Sequence, residues 1–330
     1  MPLRKLNRII AINTLDKVNI FRNKAINEIY NIFNKKNKVS INDLGFFIGP
    51  ILNAGGRLGK SSYATELLST NDENLIKKRI NNLIILNEKR KKIEDDIIKE
   101  INFNEIEKKN ENIIIIYKKN INEGLIGIIA ARLKEYFNKP SIIITNSGNL
   151  LKGSARSIHS FNIGISIKNA FDKNILINGG GHNMAAGFSL NKNKLNTFIN
   201  FMNINYNKNI SKDDLILRYT SKISSSAFNK KFFDEIKKIE PFGNDNHEPT
   251  FLFEKLKILK SKVIKDKHIS IIFKSTTGFS INSFSFNSVN TKIGDYLLNY
   301  KKDLSIIGQI KENFWNNKYT LQLIVKDLVI

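Results

Sequence analysis

Residues 179–187 read Gly179-Gly180-Gly181-His182-Asn183-Met184-Ala185-Ala186-Gly187. Glycines without a Cβ let a backbone approach a ligand closely, and successive free N–H groups can cradle an anion. The small residues that follow allow a helix or strand to pack tightly beneath. Taken alone, three glycines read equally as a tight turn with no ligand. The histidine and three upstream stretches tilt the reading toward an anion site. Lys152-Gly153-Ser154-Ala155-Arg156-Ser157 sets a guanidinium between two hydroxyls, beside a glycine. Arginine suits phosphate because its planar fork donates two parallel hydrogen bonds, although the hexapeptide also reads as a solvated strand end. Residues 49–59 form a second Gly/Arg element that reads equally as a helix stop and turn. Residues 123–133 follow the apolar run 113–117 and read as a glycine turn and amphipathic helix after a strand. A helix N-terminus can receive an anion, but in isolation this is an ordinary βα unit.

In this order the four elements resemble the RecJ family, single-strand-specific 5′→3′ DNA exonucleases of the DHH phosphoesterase superfamily. The resemblance rests on Gly-Pro-x-x-Asn-Ala-x-Gly-Arg-Leu at 49–58 and Glu-Gly-x-Ile-Gly-Ile-x-Ala-x-Arg-Leu at 123–133. It continues through Gly-Ser-x-Arg-Ser at 153–157 and Gly-Gly-His-x-Met-Ala-Ala-Gly at 180–187, and closes on Glu240-Pro241-Phe242-Gly243, Asn246 and Glu248-Pro249. It spans nearly the whole chain. It implies that Ser154 and Arg156 hold a 5′-terminal phosphate of single-stranded DNA, with Gly180 and Gly181 beside it. Arg57 and His182 then contact the backbone near the scissile bond. Two positions depart from the family pattern: Ile121-Asn122 replaces Trp-His, and Ala155 replaces the middle glycine of Gly-Ser-Gly-Arg-Ser, restricting φ there.

The expected fold class is α/β, in four parts. Residues 1–70 read as a helical remnant of the DHH lobe, and 71–110 as a connector helix with Ile76, Ile80, Leu83, Ile84, Asn87, Ile93 and Ile97 at helical spacing. Residues 111–208 read as an α/β DHHA1-like domain, with strands at 112–117, 141–145, 150–156 and 188–190 and helices at 125–137, 163–171 and 195–206. Residues 209–330 alternate apolar and polar residues over short runs, at 267–273, 279–286, 304–310 and 319–325. This predicts a small β-barrel, which the resemblance makes OB-like. Such barrels bind single strands by stacking bases on aromatics within a basic groove. Phe284, Phe286, Phe314, Trp315 and Tyr319 could stack, although alternating aromatics in a barrel are more often core. Trp315 stands out because it sits in an Asn/Lys-rich turn.

Family members hold two divalent metals, Mn2+ or Mg2+, on Asp- and His-rich motifs of an N-terminal lobe. This chain has four histidines, none before residue 111, and neither Asp-His-His nor Asp-x-Asp. Two-metal hydrolysis needs several such ligands close together, and Asp95-Asp96 reads as a solvated helix face. The expectation is therefore no catalytic residue and no metal bound by this chain, and no nuclease activity by the chain alone. In the family, a segment like Pro2–Arg8 follows the last metal-binding aspartate, so the resemblance implies a chain starting just past that site. It would then be the substrate-binding portion of an exonuclease of DNA repair and recombination. The alternatives are a non-catalytic single-strand-binding or assembly module paired with a separate DHH polypeptide, and a non-functional remnant. An apolar face at 1–48, uncovered without the other lobe, should seek a partner.

The 330 residues carry a formal charge of +23 and no cysteine. Disulfides, thiolate catalysis and cysteine zinc sites are excluded. The charge favours a polyanionic partner through counterion release, discounted because the Lys, Asn and Ile abundance follows A/T-rich codons. No run approaches the roughly 18 apolar residues of a membrane span, and no apolar stretch follows the N-terminus as in a secretory signal. Cytoplasm is the expected location.

Overall fold

The computed structural model describes residues 2–19, 23–35, 38–209, 217–315 and 318–330. They divide into two compact units, one of 15–216 and one joining 1–14 to 217–330.

The first unit opens with helices, and the division falls inside the first of them, α1 (Lys5–Asn19). α2 (Lys24–Ile32) starts where the Asn23 side chain accepts from Ala25 and Ile26 N–H, and α3 (Ile41–Asp43) starts at a Ser40/Asp43 capping box. A π-helical turn (Leu44–Ile48), α4 (Gly49–Arg57) and α5 (Ser62–Ser69) follow. The long α6 (Glu73–Lys99) begins at the Asp72 cap, and α7 (Phe103–Lys109) at Asn102. One stripe of α6, through Ile76, Ile80 and Leu83, is buried against Ile29, Tyr30, Ile48, Ile51 and Leu67. Among the residues of 1–48 left exposed are Leu6, Ile9, Ile10, Phe33 and Phe46.

A five-stranded sheet completes this unit. Its elements are β1 (Ile114–Tyr117), α8 (Ile126–Phe137), β2 (Ser141–Ser147), β3 (Leu150–Arg156), α9 (Ile163–Asp172), β4 (Asn178–His182), β5 (Ala185–Asn191) and α10 (Leu195–Asn209). The strand order is β1-β2-β3-β5-β4, parallel between β1 and β2 and antiparallel elsewhere. Because side chains alternate across a sheet, Leu151 and Ala155 of β3 share a face with Ala186, Phe188 and Leu190 of β5. They pack on Phe161, Ile163 and Ile167 and on Phe198 and Met202 of α10. α8 lies on the opposite face, where Ile126, Ile129 and Leu133 cover Ile114 and Ile143.

The glycine run is not the loop its composition suggests: 178–182 form β4, an edge strand of exposed residues. Two of its glycines are demanded by packing. A Cβ on Gly179 would stand 2.8 Å from Ile167, and one on Gly181 2.3 Å from the Ala185 carbonyl. Glycine's poor strand propensity is overridden by that close packing, and the backbone follows the antiparallel ladder with β5 in place of a run of free N–H groups.

In the second unit, β6 (Ser221–Lys222) and α11 (Lys230–Lys237) precede the strands β7 (Phe251–Ile264), β8 (His268–Ser275) and β9 (Ser280–Ser285). Then come α12 (Lys292–Asn299), β10 (Leu304–Trp315) and β11 (Lys318–Val329). The ladder runs β7-β8-β9-β11-β10, and pairing of β10 with β7 closes it into a five-stranded barrel, with β6 appended on β7. Closure pairs the start of β10 with the start of β7, from Leu304 against Leu256 to Gly308 against Phe251. Phe253, Leu256, Ile271, Phe273, Ile306 and Leu323 fill the interior. The motif at 240–243 meets the start of the chain: Leu3 N–H donates to the Asn244 carbonyl at 2.7 Å, and Arg8 Nη2 to the Glu240 carbonyl at 2.7 Å. Gly243 leaves the space that the Leu3 side chain fills.

The tightest glycine approach in the sheet gives a stability test. A Cβ at Gly153 would lie 2.1 Å from Phe188 Cζ. Gly153→Ala is expected to cost about 1–3 kcal/mol, as overpacked cores do, measured as a lower urea midpoint with an unchanged slope. An unaltered midpoint would mean that the Phe188 ring moves aside freely.

Candidate anion site on the sheet

The register of β3, β5 and β4 draws the sequence motifs into two rows. Ser154 pairs with Gly187, which pairs with Gly180; Arg156 pairs with Ala185, which pairs with His182. All six share the face opposite the α9–α10 core. Two strand spacings separate Arg156 from His182 along their row, roughly 10 Å. Beside that row, beyond Ser154, the sheet is bare. Nothing lies within 4 Å of a Cβ placed on Gly180, and only the Gly153 carbonyl, at 3.9 Å, near one on Gly187. Unlike Gly179 and Gly181, these two glycines answer no packing demand. They leave backbone open to a ligand.

Arg156 is half-buried at one end of this shelf. Its Nη1 donates to the Ala155 carbonyl at 2.8 Å and to Ser154 Oγ at 3.3 Å. The first turn of α8 fits over both side chains because Gly127 has none: a Cβ there would be 3.0 Å from Arg156 Nη2 and from Ser154 Oγ. Arg57, at the end of α4, donates through Nη1 to the Gly124 carbonyl at 2.9 Å. Gly124 fits against the Arg57 backbone, where a Cβ would be 2.3 Å from the Arg57 carbonyl oxygen. Two motifs far apart in the chain are thus locked together where Arg57 meets Gly124.

Burial depresses the affinity of the Arg57 guanidinium for its proton, Arg90 adds to this, and Glu94 opposes it. Burial does the same to Arg156, with Arg57 as the second cause. The two cations therefore feel one another, and among the described residues neither has a carboxylate in an ion pair. Glu94 of α6 is fully committed elsewhere. It is buried, and takes Arg90 Nη1 at 3.1 Å and Arg132 Nε at 2.7 Å. Arg132 also reaches Asp95 at 2.7 Å, so Asp95 is an ion-pair partner and not simply a solvated face.

His182 is exposed, and its Nδ1 accepts from the Met184 N–H at 3.3 Å, which turns Nε2 outward from the β4–β5 turn. That turn is tied down on two sides: Ser157 N–H donates to the Met184 carbonyl and Ile163 N–H to the Asn183 carbonyl. The Asn162 side chain caps α9 and also donates to Asn183 Oδ1 at 2.7 Å. Of the two departures from the family pattern, Asn122 accepts from the Gly124 N–H and so shapes the turn before α8, and Ala155 is buried core. A bonded lysine–glutamate pair, Lys152 and Glu123, borders the site at 2.9 Å.

The structure therefore brings Arg57, Ser154, Arg156, Gly180, Gly181 and His182 into one neighbourhood of the first unit. Gly181 faces the core and contributes shape only. Trp315 belongs to the other unit. Its backbone pairs with Lys318, and its side chain, like that of Phe314, lies outside the described residues. Sequence reasoning did not single out Glu94, Arg90 or the tie from Asn162 to Asn183. A glutamate in a lysine-rich helix carries no mark of burial, and only the i, i+4 spacing from Arg90 hints at the pair.

A sheet of this order together with a closed five-stranded barrel defines a protein with a DHHA1 domain and an OB domain. Family models agree: the DHHA1 domain matches residues 110–207 and the RecJ OB domain residues 219–327. The chain is 29% identical to the single-stranded-DNA-specific exonuclease RecJ of Haemophilus influenzae, over 98% of this chain and 58% of that protein. It is 26% identical to that of Bacillus subtilis, over 100% of this chain and 42% of that protein. A crystal structure of RecJ from Thermus thermophilus in complex with Mg2+ shares the fold, with a TM-score of 0.79 at 20% identity, covering 99% of this chain and 50% of the other. The chain thus carries a DHHA1 domain followed by a RecJ OB domain, resembles RecJ proteins over almost its whole length, and spans about half the length of the relatives it matches.

The carboxylate at the centre of the arginine network yields a test. Glu94→Ala leaves Arg90 without its partner in a buried setting, where breaking a pair costs about 3–5 kcal/mol; the half-exposed Arg132 keeps Asp95 and moves the expectation to the lower end. Urea unfolding measures it. A loss below about 0.5 kcal/mol, the size of a surface pair, would show that solvent already reaches Glu94.

Proposed function

We propose that this chain is the substrate-gripping portion of a RecJ-type 5′→3′ exonuclease specific for single-stranded DNA, acting in DNA repair and recombination in the cytoplasm. The observation that carries the reading is the placement, beside a glycine-bare strip of sheet, of two guanidiniums that have no carboxylate partner among the described residues. Arg156 and Ser154 hold the 5′-terminal phosphate. A terminal phosphate bears more charge than an internal one and exposes more acceptor oxygens, so a preorganised fork and a hydroxyl favour it. Arg57 neutralises the adjoining phosphate. Gly180 and the outward edge of His182 let the sugar–phosphate backbone lie close to the sheet. Trp315 is assigned to stacking on a base in the barrel. No helix among the described residues is long and apolar enough to cross a membrane.

Mg2+ and Mn2+ appear with relatives of known structure. The residues of the candidate site do not fit such an ion. Its charged groups are arginines, and no group of three or more His, Cys, Asp or Glu among the described residues could hold a metal. The part proposed for these residues is to bind and orient, and no hydrolytic step is assigned to them. The exposed apolar side chains Leu6, Ile9 and Ile10 of α1 support a second reading, a binding module that docks on a separate polypeptide carrying the metal-binding lobe.

The test is end discrimination. The chain should bind 5′-phosphorylated single strands more tightly than 5′-hydroxyl strands of the same sequence. Arg156→Ala should remove that preference, about tenfold or more, since a charge-assisted hydrogen bond contributes about 1.5–3 kcal/mol. Arg156→Lys should restore only part of it, keeping the charge and losing the fork. Equal binding of both ends by the unmodified chain would refute the pocket.

A further inference from the structure

We propose that Asn162, acting through Asn183, is the positioning residue that sets His182 as a hydrogen-bond donor, its ring proton on Nε2, to a phosphodiester oxygen of the bound strand. The inference deepens the reading above and rests on it for the ligand. Asn162 lies outside the motifs that carry that reading, and Asn183 fills the one open position of the motif at 180–187.

A histidine at an exposed strand end offers no defined donor unless its ring is held. The neutral imidazole carries one proton and can place it on either nitrogen. Here Nδ1 accepts from the Met184 N–H at 3.3 Å, so the proton of the neutral ring falls on Nε2, the nitrogen that faces outward. Phosphodiester oxygens accept hydrogen bonds and donate none, so a fixed N–H suits them. The other tautomer would present a lone pair to an anion. The Met184 contact is long and spans two residues of a turn, and it lasts only while the turn keeps its shape. What holds the turn therefore decides which nitrogen donates.

The first turn of α9 holds it. Ile163 N–H donates to the Asn183 carbonyl at 3.2 Å. Gly164 lets the helix rest against the His182 backbone, where a Cβ would stand 2.9 Å from the His182 carbonyl carbon and oxygen. Asn162 adds a side-chain tie whose polarity is fixed. As the N-cap of α9, its Oδ1 accepts from the Ile165 N–H at 3.1 Å. With Oδ1 committed to a backbone donor, Nδ2 is the end that faces Asn183, and it donates to Asn183 Oδ1 at 2.7 Å. The helix that begins at Asn162 is anchored in the core through Ile163 and Ile167, and Asn183 directly follows His182. A rigid helix end thus carries the turn that carries the imidazole.

The experiment uses the full chain with 15N-labelled histidine and a 5′-phosphorylated oligothymidylate. In alkaline buffer, where imidazoles are neutral, the His182 ring nitrogens, assigned through His182→Ala, should report one tautomer, protonated at Nε2. Asn183→Ala cuts the tie and leaves the α9 cap whole. Asn162→Ser keeps a cap and is too short to reach Asn183. Both variants should show the two tautomers in exchange and weaken strand binding about two- to tenfold, the range of one hydrogen bond. In the His182→Ala background, Asn183→Ala should cost nothing further, because a positioning residue acts only through the group it positions. A loss of equal size in both backgrounds, or an unchanged Nε2–H tautomer in both folded variants, would overturn the proposal and leave the Arg156 pocket standing. If His182→Ala binds as tightly as the unmodified chain, His182 makes no contact and the proposal falls. Failure of the unmodified chain to bind any single strand would overturn the underlying reading as well.

Discussion

Slipping β3 against β5 by one residue would turn Ser154 and Arg156 into the apolar core and push Gly153 and Ala155 out to the surface. Register is the constraint on which the site depends, because the side-chain period of a strand is two. Here it is pinned by shape. The Phe188 ring occupies the space that any side chain at Gly153 would need, and those two residues are direct partners across the ladder. With that pair in place, Ser154 faces Gly187 and Arg156 faces Ala185. The same pattern carries one strand further, to Gly180 and His182. Close packing on one face of the sheet thus sets the chemistry of the other.

Helices then bring the remaining charge to that face. Gly127 admits α8 over Arg156 and Ser154, and Gly124 admits the end of α4 with Arg57. Four arginines gather in this region, at 57, 90, 132 and 156. Arg90 and Arg132 share Glu94, and Arg132 has Asp95 as well. Among the described residues, Arg57 and Arg156 rest on carbonyl and hydroxyl oxygens alone. Holding two partly buried cations together without their own counter-ions is unfavourable in the free protein, and an anion bound between them would relieve the repulsion. The proposed pocket is therefore preorganised in geometry and left incomplete in charge.

Much of this was legible in the sequence. β3 is readable as 150–156 because Leu151 and Ala155 alternate with charged and hydroxyl residues. The barrel strands are readable from the alternation at 267–273 and 304–310. The long α6 is readable from its apolar spacing. What was hidden depends on the meeting of distant segments. The glycine run looks like a loop, since nothing local tells Gly179, which fits against Ile167, from Gly180, which fits against nothing. Glu94 looks like one more surface charge until α8 sets Arg132 over it. Asn162 gives no hint in one dimension that it meets Asn183. The α7 break after Lys99 and the docking of Leu3 on the turn at 243–244 were likewise invisible to periodicity.

Whether Arg156 receives a terminal phosphate, with Arg57 on the phosphate that adjoins it, can be observed at the guanidiniums themselves. The measurement follows the arginine Nε–H resonances of the 15N-labelled chain as a 5′-phosphorylated dinucleotide is added. The resonances of Arg57 and Arg156, assigned by single substitutions, should shift together and saturate at one ligand per chain. The 5′-hydroxyl dinucleotide should leave them nearly in place, and Arg90 and Arg132, already bound to Glu94, should respond least. A saturable shift confined to other arginines, or the same response to both dinucleotides, would contradict a site anchored on the terminal phosphate.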